Sequence, residues 1–169
     1  MMQSISDQRP IDIDVSAMEV GDFMKANALT RSPREKIMLL EAELLQHEQV
    51  ALETSHTFCD GLYARQIEIP AGTVLTGKIH LREHLNFILK GEIAVFTEHG
   101  EQRIKAPAMI VSQPGTKRAG YAVEDTTWCT VHASVSKDVA AVEEELVTNN
   151  YEDPRLISVM ATLIEEKSA

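Results

Sequence analysis

The segment from Gly77 to Gly91, GKIHLREHLNFILKG, holds the side chains with the clearest capacity for chemistry in this chain. Its two histidines, His80 and His84, are four residues apart, and Lys78 precedes the first of them by two residues. Imidazole nitrogens bind first-row metal ions such as zinc, iron, nickel and manganese, whereas a lysine ammonium binds anions. These residue types therefore predict either a metal site or a site for an anionic ligand.

Short apolar and β-branched runs separated by turns surround this segment. About eight of them follow one another between residues 50 and 134, with no helical pattern between them. The run LYARQIEI at residues 62–69 alternates between two faces and places Tyr63 and Arg65 on the same face. Gly100, in TEHGEQ, supplies the positive φ of a hairpin loop. The pattern predicts a mainly β fold, either an antiparallel sandwich or a closed barrel.

Helical patterns flank the β region on both sides. Ser32, Pro33 and Glu35 provide an N-cap, a first-turn proline and a capping box for a helix that extends to about residue 47. Ser136 can cap a second helix, and Asp153 followed by proline starts a third. The expected organisation is an N-terminal, weakly ordered arm at 1–31, a helix packing on the barrel at 32–49, the barrel at 50–134 and a helical extension at 135–169.

A small antiparallel barrel holds its ligand among inward-facing side chains at alternate strand positions. One residue separates Lys78 from His80, so both lie on the same face of a strand, and His84 opens the next strand after a polar turn. Asn86 shares the face of His84 and is a candidate hydrogen-bond donor to a ligand. His132 ends the last apolar run, TWCTVH, and alternation allows it to point inward as well.

The glycine spacing around the histidines resembles the first motif of the cupin superfamily. That motif is a glycine, five residues, H-x-H, three or four residues, a glutamate, six residues and a glycine. Here Gly72, Lys78, His80, His84 and Gly91 stand at the corresponding positions. The resemblance covers about residues 50–133 and implies an antiparallel jelly-roll (cupin) barrel, to which the flanking patterns add an N-terminal helix and two C-terminal helices. It also implies a homodimer or a higher homo-oligomer.

A second cupin motif, P-x-G-x-x-H, is similar to the segment that runs from Pro114 and Gly115 to Arg118, where the arginine lies close to the family's histidine. Three longer segments, DGLYARQIEIPAGTVLTGKIH, SQPGTKRAGYA and EDTTWCTVH, resemble a group of small cupin-like proteins from bacteriophage genomes. This narrower resemblance implies a phage-encoded protein that acts in the host cytoplasm.

The departures from the cupin motifs leave two interpretations of the pocket. Cupins usually bind metal with three histidines and a glutamate, but Lys78 and Arg118 stand near two of those positions and remain cationic near neutral pH. In the first interpretation, a divalent first-row metal (Zn, Fe, Ni or Mn) is bound by His80, His84 and His132, with His56 as a further candidate. In the second, the pocket has no metal, and its ligand-binding residues, Lys78, Asn86 and Arg118, hold a phosphate, a carboxylate or a nucleotide together with the two motif histidines.

Three classes of function follow: a metal-dependent enzyme, a non-catalytic binder of a small molecule, and a structural or interaction protein such as a virion component or a host-factor binder. The chain has 169 residues and a net charge of −10, which argues against nucleic acid as a main partner. We expect a cytoplasmic protein without a membrane partner, because we find no signal peptide and no apolar run long enough to span a bilayer. The two cysteines, Cys59 and Cys129, are expected to be free thiols.

Overall fold

The computed structural model of this chain describes residues 32–168, so the predicted arm at residues 1–31 lies outside the described residues. The described part contains three helices and eleven strands. The helices are α1 (Pro33–Leu44), α2 (Val139–Leu146) and α3 (Pro154–Ser168). The strands are β1 (Glu53–Cys59), β2 (Leu62–Ile69), β3 (Val74–Thr76), β4 (Ile79–His80), β5 (His84–Lys90), β6 (Glu92–Thr97), β7 (Gly100–Lys105), β8 (Ala108–Ser112), β9 (Ala119–Ala122), β10 (Thr126–Ala133) and β11 (Val147–Thr148).

Helix α1 begins at the predicted capping box. The backbone N–H of Glu35 donates to the Ser32 hydroxyl at 3.3 Å, and the Glu35 carboxylate accepts the Ser32 backbone N–H at 2.7 Å. The helix ends at Leu44, three residues before the expected end. The Gln49 side chain donates to the carbonyl of Leu44 at 2.9 Å and so satisfies one of the acceptors that a helix end leaves unpaired.

Two antiparallel sheets face each other in a jelly-roll arrangement. The five-stranded sheet has the order β1-β2-β10-β5-β8, the four-stranded sheet has the order β3-β9-β6-β7, and β4 pairs with β11 in a short ribbon. One apolar cluster joins both sheets and consists of Ile67, Ile69, Ile88 and Trp128 from the first and Ile93, Val95, Ile104 and Ala122 from the second. The predicted fold class is confirmed: mainly β, antiparallel, with one helix before the barrel and two after it.

Strand β6 carries apolar residues on both of its faces. Ile93 and Val95 point into the core between the sheets, whereas Ala94 and Phe96 pack against α1 on the outer side. A strand that is covered on both faces shows a continuous apolar run, because neither face needs polar residues for contact with water. The run IAVF is therefore explained by the position of α1.

Helix α2 closes one end of the barrel. Its N-cap is Asp138, whose carboxylate accepts the Ala141 N–H at 2.9 Å, so the expected cap at Ser136 is wrong by two residues. A carboxylate can cap as well as a hydroxyl, and the chain enters the helix only after Asp138. Val142 and Leu146 of α2 are buried against Tyr63 of β2.

Helix α3 starts at Pro154, as predicted, and packs by Leu156 against Ile79 and Leu81 beside β4. Both cysteines of the chain are free thiols, as expected. Within residues 32–168, no helix combines the length and the apolar composition needed to cross a membrane.

Candidate metal centre in the barrel cavity

The register of the five-stranded sheet brings two of the predicted histidines together. His132 on β10 pairs with Tyr63 on β2, and His84 on β5 pairs with Ser112 on β8. Strands β10 and β5 are themselves neighbours, and their register places His132 beside His84. The two imidazole centroids are 4.4 Å apart, although the residues are far apart in the sequence.

His80 reaches the same point from the short ribbon of β4 and β11. Its backbone carbonyl accepts the Gly115 N–H at 2.9 Å, which holds β4 against the loop between β8 and β9. The His80 ring centroid lies 4.1 Å from that of His84 and 4.9 Å from that of His132. One nitrogen of each ring lies within 4.8 Å of a nitrogen of the other two, so the three side chains form a single cluster.

Each of these rings has a buried nitrogen without a hydrogen-bond partner among the described residues: Nδ1 of His80, Nε2 of His84 and Nδ1 of His132. His84 also shows its tautomer, because its Nδ1 lies 2.9 Å from the carbonyl oxygen of Arg82, which only accepts. Nδ1 of His84 therefore carries the proton and Nε2 keeps a free lone pair. A hydrogen bond of this kind orients metal-binding histidines in many proteins.

Burial keeps the three imidazoles neutral. It lowers the pKa of His84 to about 4, and the Arg82 carbonyl opposes part of this change. It lowers the pKa of His132 to about 3, with a further contribution from His84. The pKa of His80 lies well below its usual value, mainly through burial and then through the neighbouring His84 and His132. Neutral imidazoles are the form that binds metals.

The cluster fits a first-row divalent ion by its donor type. The residues that would hold such an ion are His80, His84 and His132, through one ring nitrogen each. Among residues 32–168, no carboxylate or thiolate joins the three histidines.

Lys78 lines the cavity, and it stands two residues before His80, the spacing that places both side chains on one face. It has a partner there. Its ammonium lies 3.7 Å from the carboxylate of Glu143 on α2. Burial lowers the pKa of Lys78, and Glu143 opposes that change. The sequence did not indicate Glu143, because the ion pair depends on how α2 packs over the barrel.

Asn86 is buried, and its side chain is occupied by the protein itself. Its amide nitrogen donates to the Ser112 hydroxyl at 2.6 Å. Its amide oxygen accepts from Trp128 Nε1 at 3.0 Å and from the Thr130 hydroxyl at 3.1 Å. Asn86 lines the cavity, but these bonds make it a cross-strand tie between β5, β8 and β10.

Arg118 also lines the cavity and donates through Nη2 to the Ser112 hydroxyl. Burial lowers its pKa to about 10, and it forms no ion pair with a described residue. Its neighbour Lys117 does form an ion pair, and its buried ammonium lies 2.8 Å from the half-buried carboxylate of Glu41 on α1. Arg118 thus lines the cavity without an acidic partner among the described residues, and its role in binding a ligand stays a prediction.

His56 does not belong to the cluster. Its Nδ1 lies 2.7 Å from the Tyr63 hydroxyl, and burial lowers the pKa of His56. Tyr63 is buried, which raises its pKa to about 12. The two residues form a pair at the edge of the cavity beside α2.

Arg65 is a cavity residue that site prediction from the sequence missed. It lies on β2 between Tyr63 and Ile67, opposite Thr130 on β10 and His56 on β1. The sequence does contain a signal for Arg65: it shares one face of the strand with apolar residues, and a charged side chain on an inward face is unusual. Arg65 lines the same cavity of about 190 Å³ as His80 and Arg118.

Comparison with known proteins gives no named family. No protein-family model and no curated protein matches the chain. It is similar to the solved structure of KdgF from Halomonas sp. (15% identity, 48% of this chain and 79% of that one, TM-score 0.43). It is also similar to an RmlC-like cupin from Shewanella frigidimarina (15% identity, 52% of this chain and 78% of that one, TM-score 0.43). A third similar structure is an RmlC-like cupin with a double-stranded β-helix fold from Methanocaldococcus jannaschii (13% identity, 50% of this chain and 82% of that one, TM-score 0.43).

Proposed function

We propose that this protein binds a divalent first-row metal ion through His80, His84 and His132 and that a small anionic molecule binds beside the ion in the barrel cavity. The observation that carries the proposal is the convergence of three neutral imidazoles, each with a buried ring nitrogen that lacks a partner within residues 32–168. A buried polar atom without a partner costs about 1–3 kcal/mol. A bound ion accounts for all three at once.

The anionic ligand follows from the charges around the cluster. No carboxylate joins the three histidines, and Arg118 faces the same cavity without an acidic partner among the described residues. A divalent ion would add two positive charges to this site. An anion that contacts the cationic side chains of the cavity beside the ion would offset part of this charge, and the ion would supply the chemistry of a Lewis acid to it.

Metal analysis of protein purified without a polyhistidine tag tests the metal part of this proposal. We expect close to one ion of zinc, iron, nickel or manganese per chain, and a lower melting temperature after EDTA treatment. The variant His84→Asn should retain less than a tenth of that metal. His99→Asn is the matched control, because the side chain of His99 is 78% exposed.

Two results would refute the metal assignment. One is a wild-type protein that takes up less than a tenth of an ion per chain after incubation with each of the four metals. The other is a His84→Asn variant that binds metal as well as the wild type does. The narrower resemblance to phage-encoded proteins, and with it a place in a host cytoplasm, stays a prediction.

A second candidate function is self-association or another interaction role, with a degenerate pocket. The outer face of the five-stranded sheet carries apolar side chains that pair across β5 and β8: Leu85 with Val111, both exposed, and the half-buried Phe87 with the exposed Met109. A chain with a net charge of −10 repels its own copies, so association requires an uncharged face such as this one. Light scattering should give a dimer for the wild type and a monomer for Met109→Lys/Val111→Lys, whereas a monomeric wild type would refute self-association.

A further inference from the structure

Arg65 is a charged side chain of the barrel interior that has no partner in the described part of the chain. No residue within 32–168 accepts a hydrogen bond from its guanidinium or lies within ion-pair distance of it. Glu143 attracts it only from a greater distance and is already paired with Lys78. A guanidinium has five N–H donors in a planar fork, and those of Arg65 are open to the solvent of the cavity and are not bonded to a described residue.

The other arginines that the structure describes all donate to an oxygen of the protein. Their partners are Glu98 for Arg34, Glu145 for Arg82, Glu92 for Arg103, Ser112 for Arg118 and Asp153 for Arg155. Among the described arginines, Arg65 alone lacks such an acceptor, and it lies on the inward face of β2, at the cavity. This position favours a ligand over an internal ion pair as the partner of Arg65.

The cavity changes from polar to apolar within two residues along the strands. Arg65 lies in a cross-strand row with Thr130 and Asn86, next to the row that contains His132 and His84. In the opposite direction, the following row consists of Ile67, Trp128 and Ile88. Side chains of the four-stranded sheet, Leu75, Ile93 and Val95, complete this apolar end of the cavity.

We propose that the ligand is a small amphipathic carboxylate whose carboxylate group binds the guanidinium of Arg65 beside the histidine cluster and whose apolar part packs against Ile67 and Trp128. This inference rests on the proposed function, because it names the class of the anionic molecule. The planar guanidinium matches the two oxygens of a carboxylate in a bidentate pair. A cavity of about 190 Å³ limits the ligand to a small molecule.

The apolar row is the reason for choosing a carboxylic acid over a nucleotide or a sugar phosphate. A ligand with many hydroxyl groups would bury them against Ile67 and Trp128, where Trp128 Nε1 and the Thr130 hydroxyl are already bonded to Asn86. Polar groups buried without hydrogen bonds are costly. An alkyl or aryl group, in contrast, gains free energy by leaving water in the same place.

Calorimetric titration with defined compounds tests this inference. Hexanoate should bind the wild type at least ten times more tightly than acetate, which lacks the apolar part, and hexanol, which lacks the charge. Arg65→Gln should weaken hexanoate binding at least tenfold. Arg103→Gln, an exposed position on β7, is the matched control and should bind hexanoate as the wild type does.

Stability measurements on the same variants separate a ligand-binding arginine from a structural one. Without ligand, Arg65→Gln should melt at the same temperature as the wild type or above it, because the substitution removes an unpaired charge. A clear loss of stability in Arg65→Gln, or unchanged hexanoate affinity, would overturn the inference. Tighter binding of AMP or phenyl phosphate than of hexanoate would also overturn it.

Metal analysis distinguishes the failure of this inference from the failure of the proposed function. A protein that takes up metal at its histidines but binds no carboxylate contradicts the role of Arg65 alone. A protein that binds hexanoate through Arg65 but takes up no metal contradicts the metal centre and supports the role of Arg65.

Discussion

Acidification should destabilise the metal-free protein through its histidine cluster. The pKa values of His84 and His132 are about 4 and about 3 in the folded chain, compared with 6.5 in an unfolded one. The folded state therefore binds fewer protons between these values and pH 6.5. The contribution of these two histidines to the free energy of unfolding is fully present above pH 6.5, and it is lost as the pH falls towards their folded pKa values. His80 acts in the same direction.

The size of the effect follows from proton binding by the unfolded chain. At pH 5 an unfolded histidine is almost fully protonated, whereas His84 and His132 are still mostly neutral in the folded state. Each of the two then contributes a loss of about 2 kcal/mol in the free energy of unfolding between pH 7.5 and pH 5, since one pKa unit corresponds to about 1.4 kcal/mol. The two together account for about 4 kcal/mol.

Urea unfolding in EDTA at several pH values measures this loss. The single tryptophan, Trp128, packs beside the site and reports unfolding by its fluorescence. The double variant His84→Asn/His132→Gln should lose about 4 kcal/mol less than the wild type between pH 7.5 and pH 5. Carboxylates titrate equally in both proteins, so their contribution cancels in this difference.

The exposed histidines provide the control. His47→Gln/His99→Gln changes side chains that are 46% and 78% exposed, and it should follow the wild type within about 0.5 kcal/mol at every pH. If the cluster variant loses as much stability as the wild type does, the three imidazoles are not desolvated in the folded protein. The reasoning about the metal centre would then be wrong as well.

Three further predictions concern stability. Gly91→Ala should lower the free energy of unfolding by at least about 3 kcal/mol in the same urea assay, because an added Cβ would lie 2.2 Å from the backbone oxygen of Asp125. Gly72 has a similar positive φ but open space around its Cα, so Gly72→Ala should lower it by only about 1–2 kcal/mol. Lys117→Met should cost about 2–3 kcal/mol in thermal unfolding, because it removes the buried ammonium that pairs with Glu41 and donates to the Gly77 carbonyl, while Lys105→Met at an exposed position should change little; equal effects would contradict this role of Lys117. Asn86→Leu should lower the free energy of unfolding by about 2–4 kcal/mol, because it removes three buried hydrogen bonds, while the metal content per folded chain stays at the wild-type level. A variant as stable as the wild type would show that these three hydrogen bonds contribute no net stability.

Local features of the fold were predictable from the sequence, because their signals lie within a few residues. The capping box at Ser32 and Glu35 depends on side chains three apart, and the structure contains it. Gly100 has the positive φ expected of the loop between β6 and β7. Strand β2 alternates as predicted, because alternation is a property of an extended backbone with one covered face.

The composition of the site was only partly predictable, although every candidate residue has a place in the structure. His80, His84 and His132 come together, Lys78 and Arg118 line the cavity, and Asn86 is occupied by its own hydrogen bonds. No strand pattern reveals whether an inward side chain will find a partner within the protein. That outcome depends on which neighbours the other strands and helices bring.

The sequence by itself determined the jelly-roll class, the start of α1 and the segment that holds the first two histidines, whereas it predicted about eight of the eleven strands. The tertiary structure decided what surrounds them. The pairing of β5 with β10 places His132 beside His84, and the packing of α2 gives Lys78 its partner in Glu143. The same packing leaves Arg65 without an ion-pair partner among the described residues. The physical reason is that strand register and helix docking are set by burial summed over the whole core, which the residues near each site in the sequence do not encode.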